Sequence, residues 1–408
     1  MLEIDKEKEY DVIVVGAGPA GLASAKSCIE NSLKVLVVEE HSAIGTPVQC
    51  GEVFHSYLLK ELELELDRAQ IVANEPQALK IYSPNREIAE IRLAENARAP
   101  LVIVDRKVLE KKLAVKISNK GAKIITKARA VGILKEHQYV RGVKILHFGT
   151  EYAIKSKLVI ACDGPNSGIA RYAGMDIYRD IEKFDSCIQF QMANIDVDEK
   201  IAEIYLGSNY ARGGYVWLLP KGKNYANVGL GVNCKLGNQA LRYLNEFVSK
   251  DKSLRHGSII EINAGIVPLG GAADKLVSDG LMVVGDAARQ VNPATGGGMV
   301  FAIKAGLAAG RTAALAIKEK DYSRRFLETY EKSWKQEIGK YFRGFSKLKE
   351  TILKFSDKEL DELIGSIGIL TLPSYEEPWY PAVKHVLGAL IKNPRLAFKL
   401  ATLTPYFL

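Results

Sequence analysis

Residues 11–39 decide the fold: Asp11-Val-Ile-Val-Val15-Gly16-Ala-Gly18-Pro-Ala20-Gly21, a polar helix-like run, then Val35-Leu-Val-Val38 ending in Glu39. Val12 to Val15 is short, β-branched and unalternating, the pattern of a strand buried on both faces. Gly16 permits the tight turn out of that strand. Gly18 lets the backbone approach a pyrophosphate, and Gly21 lets the following helix pack close to the sheet. Ala20 is small for the same reason. The helix N-terminus offers free N–H groups and the positive end of its dipole. Glu39, at the tip of the second strand, is placed to accept hydrogen bonds from a ribose hydroxyl pair, which fits FAD or NAD rather than NADP. A lone Gly-rich turn says little. Here strand, helix, second strand and acid stand in order, and that order reads as dinucleotide binding.

The 408 residues are 47% hydrophobic and 25% charged, a globular composition suggesting two or three domains or one with large insertions. The formal net charge of +8, with pI near 9.0, is a mild excess for this length. It suits an anionic membrane surface or a phosphorylated substrate as well as nucleic acid. No nucleic-acid-binding motif tips that choice, so no nucleic-acid partner is expected. Five cysteines (Cys28, Cys50, Cys162, Cys187 and Cys234) are scattered, without spacing for zinc or an iron–sulfur cluster, so no metal is expected. Residues 1–10 are charged and do not read as a signal peptide. No apolar run reads as long enough to span a bilayer. The expected location is cytoplasmic, extending to a peripheral place on the inner face of the cell membrane.

Beyond Glu39, residues 41–53 carry Gly45, Pro47 and Gly51 and read as a loop. Cys50 in that loop is either an inert buried thiol or a group set against a flavin ring or substrate. Tyr57 to Leu66 is helix-like, and residues 78–104 alternate weakly, as antiparallel strands do. Val108 to Ser118 has helical period, with Leu109, Leu113 and Ile117 on one face. Arg106 starts that helix, where a cation is unfavourable unless it meets an anion. Gly121 to Leu134 reads as one strand, and Val140–Phe148 with Glu151–Lys155 as a hairpin. Leu158 to Cys162 is a second buried parallel strand, running into Asp163-Gly164 with Ser167 and Arg171 beyond. The pattern recurs at Leu281 to Val284, followed by Gly285-Asp286. From there Gly296-Gly297-Gly298 leads into an Ala-rich helix, Met299 to Lys320.

Residues 180–270 show β patterning at 187–193, 202–206, 214–220, 226–232 and 258–264, with a helix-like piece at 238–249. Tyr215, Trp217 and Leu219 fall on one face of a strand. They form either ordinary sheet core or an apolar wall over a cofactor ring. Residues 323–408 are helical and locally basic. The run 381–408 is either a packed subdomain with solvated basic faces or a surface for an anionic membrane.

Five elements stand in order: the glycine turn with Glu39, Val104-Asp105-Arg106, Asp163-Gly164 with Ser167 and Arg171, Gly285-Asp286, and the glycine-dense helix start. Together they resemble the FAD-dependent superfamily built like p-hydroxybenzoate hydroxylase. Within it, Pro47-Val-Gln-Cys50-Gly-Glu52, Tyr215-x-Trp217-x-x-Pro220 and Asn292-Pro-Ala-Thr-Gly-Gly-Gly-Met299 resemble the geranylgeranyl reductases, in particular the archaeal digeranylgeranylglycerophospholipid reductase branch. The resemblance spans roughly residues 8–350. It implies an α/β fold: a Rossmann-like FAD-binding domain (1–180 and 265–322), an inserted antiparallel β-sheet substrate domain (181–264, with parts of 55–104), and a C-terminal helical subdomain (323–408).

By the same resemblance, Gly16, Gly18, Ala20, Gly21 and Glu39 hold the ADP half of FAD. Cys50, Gly51 and Val53 line the isoalloxazine side, Arg106 and Ala130 contact the ribityl–adenine region, Asp286 binds the ribityl chain, and the backbone of Gly298 and Met299 meets the flavin ring. Tyr215 and Trp217 line the lipid pocket. The chain departs from the pattern at Val53 and Phe54, at Leu219 in place of Phe, and at Arg289 in place of Gly. The implied reaction reduces isolated C=C bonds of geranylgeranyl chains, with hydride from reduced flavin N5 and a proton for which Cys50 is the nearest candidate donor. The implied partners are an isoprenoid lipid and an external electron donor (ferredoxin, NAD(P)H or a deazaflavin). Two alternatives stay open: a monooxygenase, against which stands Gly297 where such hydroxylases carry Gln, and a non-catalytic isoprenoid-binding flavoprotein.

Overall fold

A computed structural model describes residues 9–93, 101–177 and 180–372. The basic, apolar run 381–408 lies outside those residues. Among the described residues the chain forms two eight-stranded sheets and a small third one.

The first sheet is built on β1 (Tyr10–Val15), whose valines and isoleucine are fully shielded. It pairs in parallel with β2 (Val35–Val38) on one side and β11 (Thr150–Ala161) on the other. β8 (Lys123–Ile125) extends it beyond β2, and β18 (Leu281–Val283) with β17 (Val277–Ser278) extends it beyond β11. β9 (Ala128–Glu136) and β10 (Tyr139–His147) hang from the first half of β11. Two expectations change here. Residues 121–134 are two strands, because the chain turns at Lys127 with φ of +56°. The hairpin strand and the buried parallel strand are one element: β11 is antiparallel to β10 up to Lys155 and parallel to β1 from Ser156. Lys157 keeps its ammonium at the sheet rim by pairing with Asp11 (2.8 Å).

The polar helix-like run is helix α1 (Pro19–Glu30), and it is well covered: Ala20 to Cys28 are all buried. Its partner is α7 (Met299–Glu319). A Cβ at Gly306 would lie 2.4 Å from the Ala20 carbonyl oxygen, and one at Gly310 would lie 2.5 Å from Ser27 Cβ. Small residues on both helices thus bring the backbones close. The Ser27 hydroxyl donates to the Leu307 carbonyl across the gap (3.0 Å). By length and composition α7 is apolar enough to cross a membrane, contrary to the sequence expectation, but half of that stretch is buried inside the fold.

The second sheet runs β16-β12-β15-β14-β13-β5-β6-β19. Its members are β5 (Ala78–Tyr82), β6 (Ile88–Leu93), β12 (Phe184–Ala193), β13 (Ile201–Leu206), β14 (Tyr215–Gly222), β15 (Tyr225–Asn233), β16 (Ser258–Pro268) and β19 (Ile369–Leu372). One face packs Phe190, Val216, Val228 and Leu230 against Leu244 and Phe247 of α6 (Ala240–Lys250). The opposite face looks into a cavity. β19 is a correction to the all-helical reading of the C-terminal part: Ile369-Leu370 adds a parallel strand to the β6 edge.

The third sheet joins β3 (Val53–His55), β7 (Leu101–Val104) and β4 (Val72–Asn74). The helix expected over 57–66 is broken into α2 (Leu58–Glu61), a 3₁₀ turn and α3 (Arg68–Ile71), with Glu63 at φ of +57° between the first two. Helix α4 (Arg106–Asn119) buries Leu109, Leu113 and Ile117 as its period predicts, and Asp105 caps it by accepting from the Val108 N–H. A short α5 (Gly168–Tyr172) follows β11. Helices α8 (Arg324–Glu337), α9 (Gly339–Ile352) and α10 (Asp357–Ile367) close the end of the molecule. There Phe301, Trp334 and Phe342 meet edge to face with centroids 5.0–6.3 Å apart.

Candidate active site

One continuous cavity of about 1970 Å³ runs between the two large sheets. Sites for a single small molecule hold roughly 300–1,000 Å³, so this one has room for a cofactor and a substrate together. At one end the chain leaves β1 through Gly16, at φ of +96°, where a Cβ would lie 2.3 Å from the Cys162 carbonyl oxygen. Gly18 is the N-cap of α1 and no side chain caps the helix. Gly18, Pro19 and Ala20 line the cavity there. Gly21 does not line it: a Cβ at Gly21 would collide with the Gly16 carbonyl at 1.8 Å, so its role is packing. Glu39 lines the same end, with its carboxylate already oriented by Ala17 N–H (2.8 Å), His41 N–H (2.8 Å) and His41 Nδ1 (2.7 Å). Ala130 of β9 lines the wall nearby, and Val53 is an exposed residue of the rim.

The middle of the cavity holds Cys50, Arg106, Asp286, Gly298 and Met299 together. Arg106 meets its anion inside its own helix, pairing with Glu110 one turn on. The Glu52 N–H donates to Cys50 Sγ (3.1 Å), and Met299 Sδ lies 3.6 Å from that sulfur. Burial pushes the Cys50 thiol up, against the Arg106 guanidinium, which favours the thiolate. Burial likewise raises the Asp286 carboxyl, again opposed by Arg106. Asp163 is raised by burial too. It accepts from the Ser167 hydroxyl (2.9 Å) and the Ile169 N–H (3.0 Å), which shapes the turn after β11. Arg171 is exposed and lies outside the cavity lining.

The far wall is the second sheet. Tyr215, Trp217 and Leu219 all face in, and the wall continues through Ala202, Ile204, Leu79, Ile81 and Ile91. The Tyr215 hydroxyl donates to the Thr295 carbonyl, tying this wall to the glycine segment before α7. Across the mouth stand His55, Tyr57 and Lys304, with the Lys304 ammonium 5.7 Å from the Tyr57 ring centre. Burial, together with that ammonium, pulls the His55 imidazole down to about 4.

Three residues take roles here that the sequence did not assign, although Asn292 and Glu52 belong to the motifs quoted above. Asn292 is 1% exposed. The residue borders the cavity; its Oδ1 accepts from the Ala294 and Thr295 N–H groups (2.9 and 3.2 Å), while its Nδ2 is buried without a partner. An orphaned donor beside an uncapped helix start and a glycine cradle fits a dinucleotide flavin that brings its own acceptors. Glu52 anchors the other side of the Cys50 turn. Its carboxylate accepts from the Arg106 N–H (2.9 Å), Lys221 Nζ (2.7 Å) and Asn227 Nδ2 (2.8 Å). Gln189, on β12, accepts from the Trp217 indole N–H (2.9 Å) and donates to the Cys50 carbonyl (3.1 Å). Nothing in the sequence set Gln189 apart, because Asp185 and Gln191 stand at the same alternating register of β12.

The geranylgeranyl reductase catalytic domain family matches residues 183–267, the span of β12 to β16, and the Thi4 family matches residues 1–162. A digeranylgeranylglycerophospholipid reductase of Methanococcoides burtonii is 40% identical over 88% of each chain. One of Methanosphaerula palustris is 37% identical over 97% of this chain and 98% of its own. The crystal structure of a geranylgeranyl bacteriochlorophyll reductase-like protein from Thermoplasma acidophilum superposes with a TM-score of 0.90 at 33% identity, covering 97% of this chain and 99% of that one. A flavin-dependent brominase, at 18% identity and a TM-score of 0.72, shares the fold.

Proposed function

This chain belongs to the digeranylgeranylglycerophospholipid reductase family, and on that premise we propose that it is an FAD-dependent reductase that saturates C=C bonds in the geranylgeranyl chains of archaeal-type ether lipids. The observation that carries the reading is the single cavity joining the glycine turn of β1 to an apolar sheet face through Cys50. FAD, when bound and reduced, supplies the hydride. An isolated alkene is not polarised by a carbonyl, so a proton must build cationic character at carbon as the hydride arrives. Burial keeps Cys50 Sγ protonated at neutral pH, and Arg106 beside it eases loss of that proton. The wall of Tyr215, Trp217 and Leu219 excludes water, and the side chains of β13, β5 and β6 offer the apolar length an isoprenoid needs. The glycine turn, Glu39, Ala130, Asp286 and the Gly298–Met299 helix start hold the cofactor.

Electrons come from an external donor (ferredoxin, NAD(P)H or a deazaflavin), and the protein works from the cytoplasm against the inner face of the membrane that contains its lipid. The net positive charge supports that last reading. The apolar wall favours reduction of a lipid over hydroxylation, and a partly buried thiol facing the cavity among the ring-side residues favours catalysis over carriage. The test is an anaerobic single turnover: reduce the purified holoenzyme chemically, add digeranylgeranylglyceryl phosphate, and follow flavin absorbance and product mass. Reoxidation with two hydrogens gained per turnover supports the proposal. Flavin that stays reduced until oxygen enters, with unchanged lipid mass, refutes it.

A further inference from the structure

Gln189 is 3% exposed, yet its amide uses both ends. The strand register puts Gln189, Gly229 and Trp217 in one row across β12, β15 and β14. A Cβ at Gly229 would lie 2.5 Å from the Trp217 ring, so only glycine lets the indole lie across the middle strand to reach Gln189. One orientation of the amide satisfies both neighbours: oxygen toward the Trp217 N–H, nitrogen toward the Cys50 carbonyl. On the other flank of the turn the Glu52 carboxylate is fixed by three donors. Gly51, between the two anchors, packs so closely on Leu219 that a Cβ would sit 3.0 Å from its Cδ1.

We propose that Gln189 is a positioning residue for the reduction, locking the Cys50 turn to the Trp217 wall so that thiol and indole keep one relative placement in the cavity. The inference rests on the reading that Cys50 serves the reaction. A leucine or methionine would fill the volume of Gln189 but leave the Cys50 carbonyl and the indole N–H without partners. A glutamate would accept from the indole but turn an acceptor toward the Cys50 carbonyl when ionised, and would regain a donor when protonated.

The test compares Gln189→Leu, Gln189→Met, Gln189→Glu and Cys50→Ala as FAD-loaded proteins in the anaerobic single turnover, with flavin content and thermal midpoint measured alongside. The expected result is full flavin content, lipid Kd within about twofold of wild type, and a reduction rate constant lowered about tenfold in Gln189→Leu and Gln189→Met, in proportion to the hydrogen bonds lost. Gln189→Glu should be slow at high pH and recover as pH falls, while Gln189→Leu stays slow throughout. Wild-type rate constants in all three Gln189 variants, or a loss confined to lipid Kd, would overturn the inference. Failure of the Cys50 reading shows separately, as Cys50→Ala turning over at the wild-type rate.

Discussion

Lys221→Met and Glu52→Gln probe the joint between the cofactor end and the second sheet. Glu52 and Lys221 form an ion pair of 2.7 Å with side chains 1% and 4% exposed. Glu52 also sits at φ of +69°, a conformation that glycine adopts more easily, so the position is held for the carboxylate rather than for the backbone. Removing one partner strands the other charge in the interior, which costs about 3–5 kcal/mol. Glu52→Gln leaves a buried ammonium. Lys221→Met leaves a carboxylate with two neutral donors, Arg106 N–H and Asn227 Nδ2. The double variant removes both charges and should cost only about 1–3 kcal/mol, the scale of unmade neutral hydrogen bonds. The double-mutant cycle should therefore show a coupling of several kcal/mol. Denaturant unfolding of the FAD-loaded proteins, followed by tryptophan and flavin signals together, measures it. Single variants each shifted by less than about 1 kcal/mol, or a double variant as unstable as the sum of its singles, would refute the assignment of this pair as the joint.

Cys50→Ala should retain FAD, since the Cys50 backbone carbonyl rather than its sulfur is what Gln189 binds, but should slow alkene reduction in single turnover. Gly310→Ala should destabilise by about 1–3 kcal/mol through overpacking, because its Cβ would lie 2.7 Å from the Ser24 carbonyl; thermal melting of apo and holo protein reads the loss. His55, held near 4 against an ordinary value of 6.5, stays neutral in the folded chain over a range where the unfolded chain takes up a proton. Stability should therefore fall as pH drops from about 6.5 to 4, by at most about 3 kcal/mol from this group, and His55→Gln should flatten that part of the profile.

The glycine turn, Glu39 and strands β12 to β16 of the second sheet were legible because each is a local pattern: a β-branched run, a turn needing positive φ, an alternation of period two. What the sequence hid depended on partners far along the chain. Ser24 and Ser27 look solvated until α7 arrives to cover α1, and Lys26 until it pairs with Glu30 and Glu63. The polar Lys155-Ser156-Lys157 stretch concealed the continuity of β11, because Ser156 is buried and Lys157 pairs with Asp11. Gln189 and Lys221 take their meaning from a cross-strand row and from a contact with the loop 169 residues earlier in the chain. Cys50 could be singled out from its neighbours in sequence, but not the two anchors that fix its turn.

The close contact of α1 with α7 has a consequence for synthesis. Ser27 and Leu307 are 280 residues apart, so at ~5–20 residues per second a ribosome needs roughly 14–56 s to deliver the second helix after the first. Through that interval the nascent nucleotide-binding half carries a bare small-residue groove and a parallel sheet still lacking β18. The strands from β12 to β16 emerge within the same window, and apart from the bond to β5 they pair among themselves, so they can condense while the first half waits. The inserted sheet is thus the first large unit able to close, and the cofactor site the last, completed only when the glycine segment and α7 leave the exit tunnel.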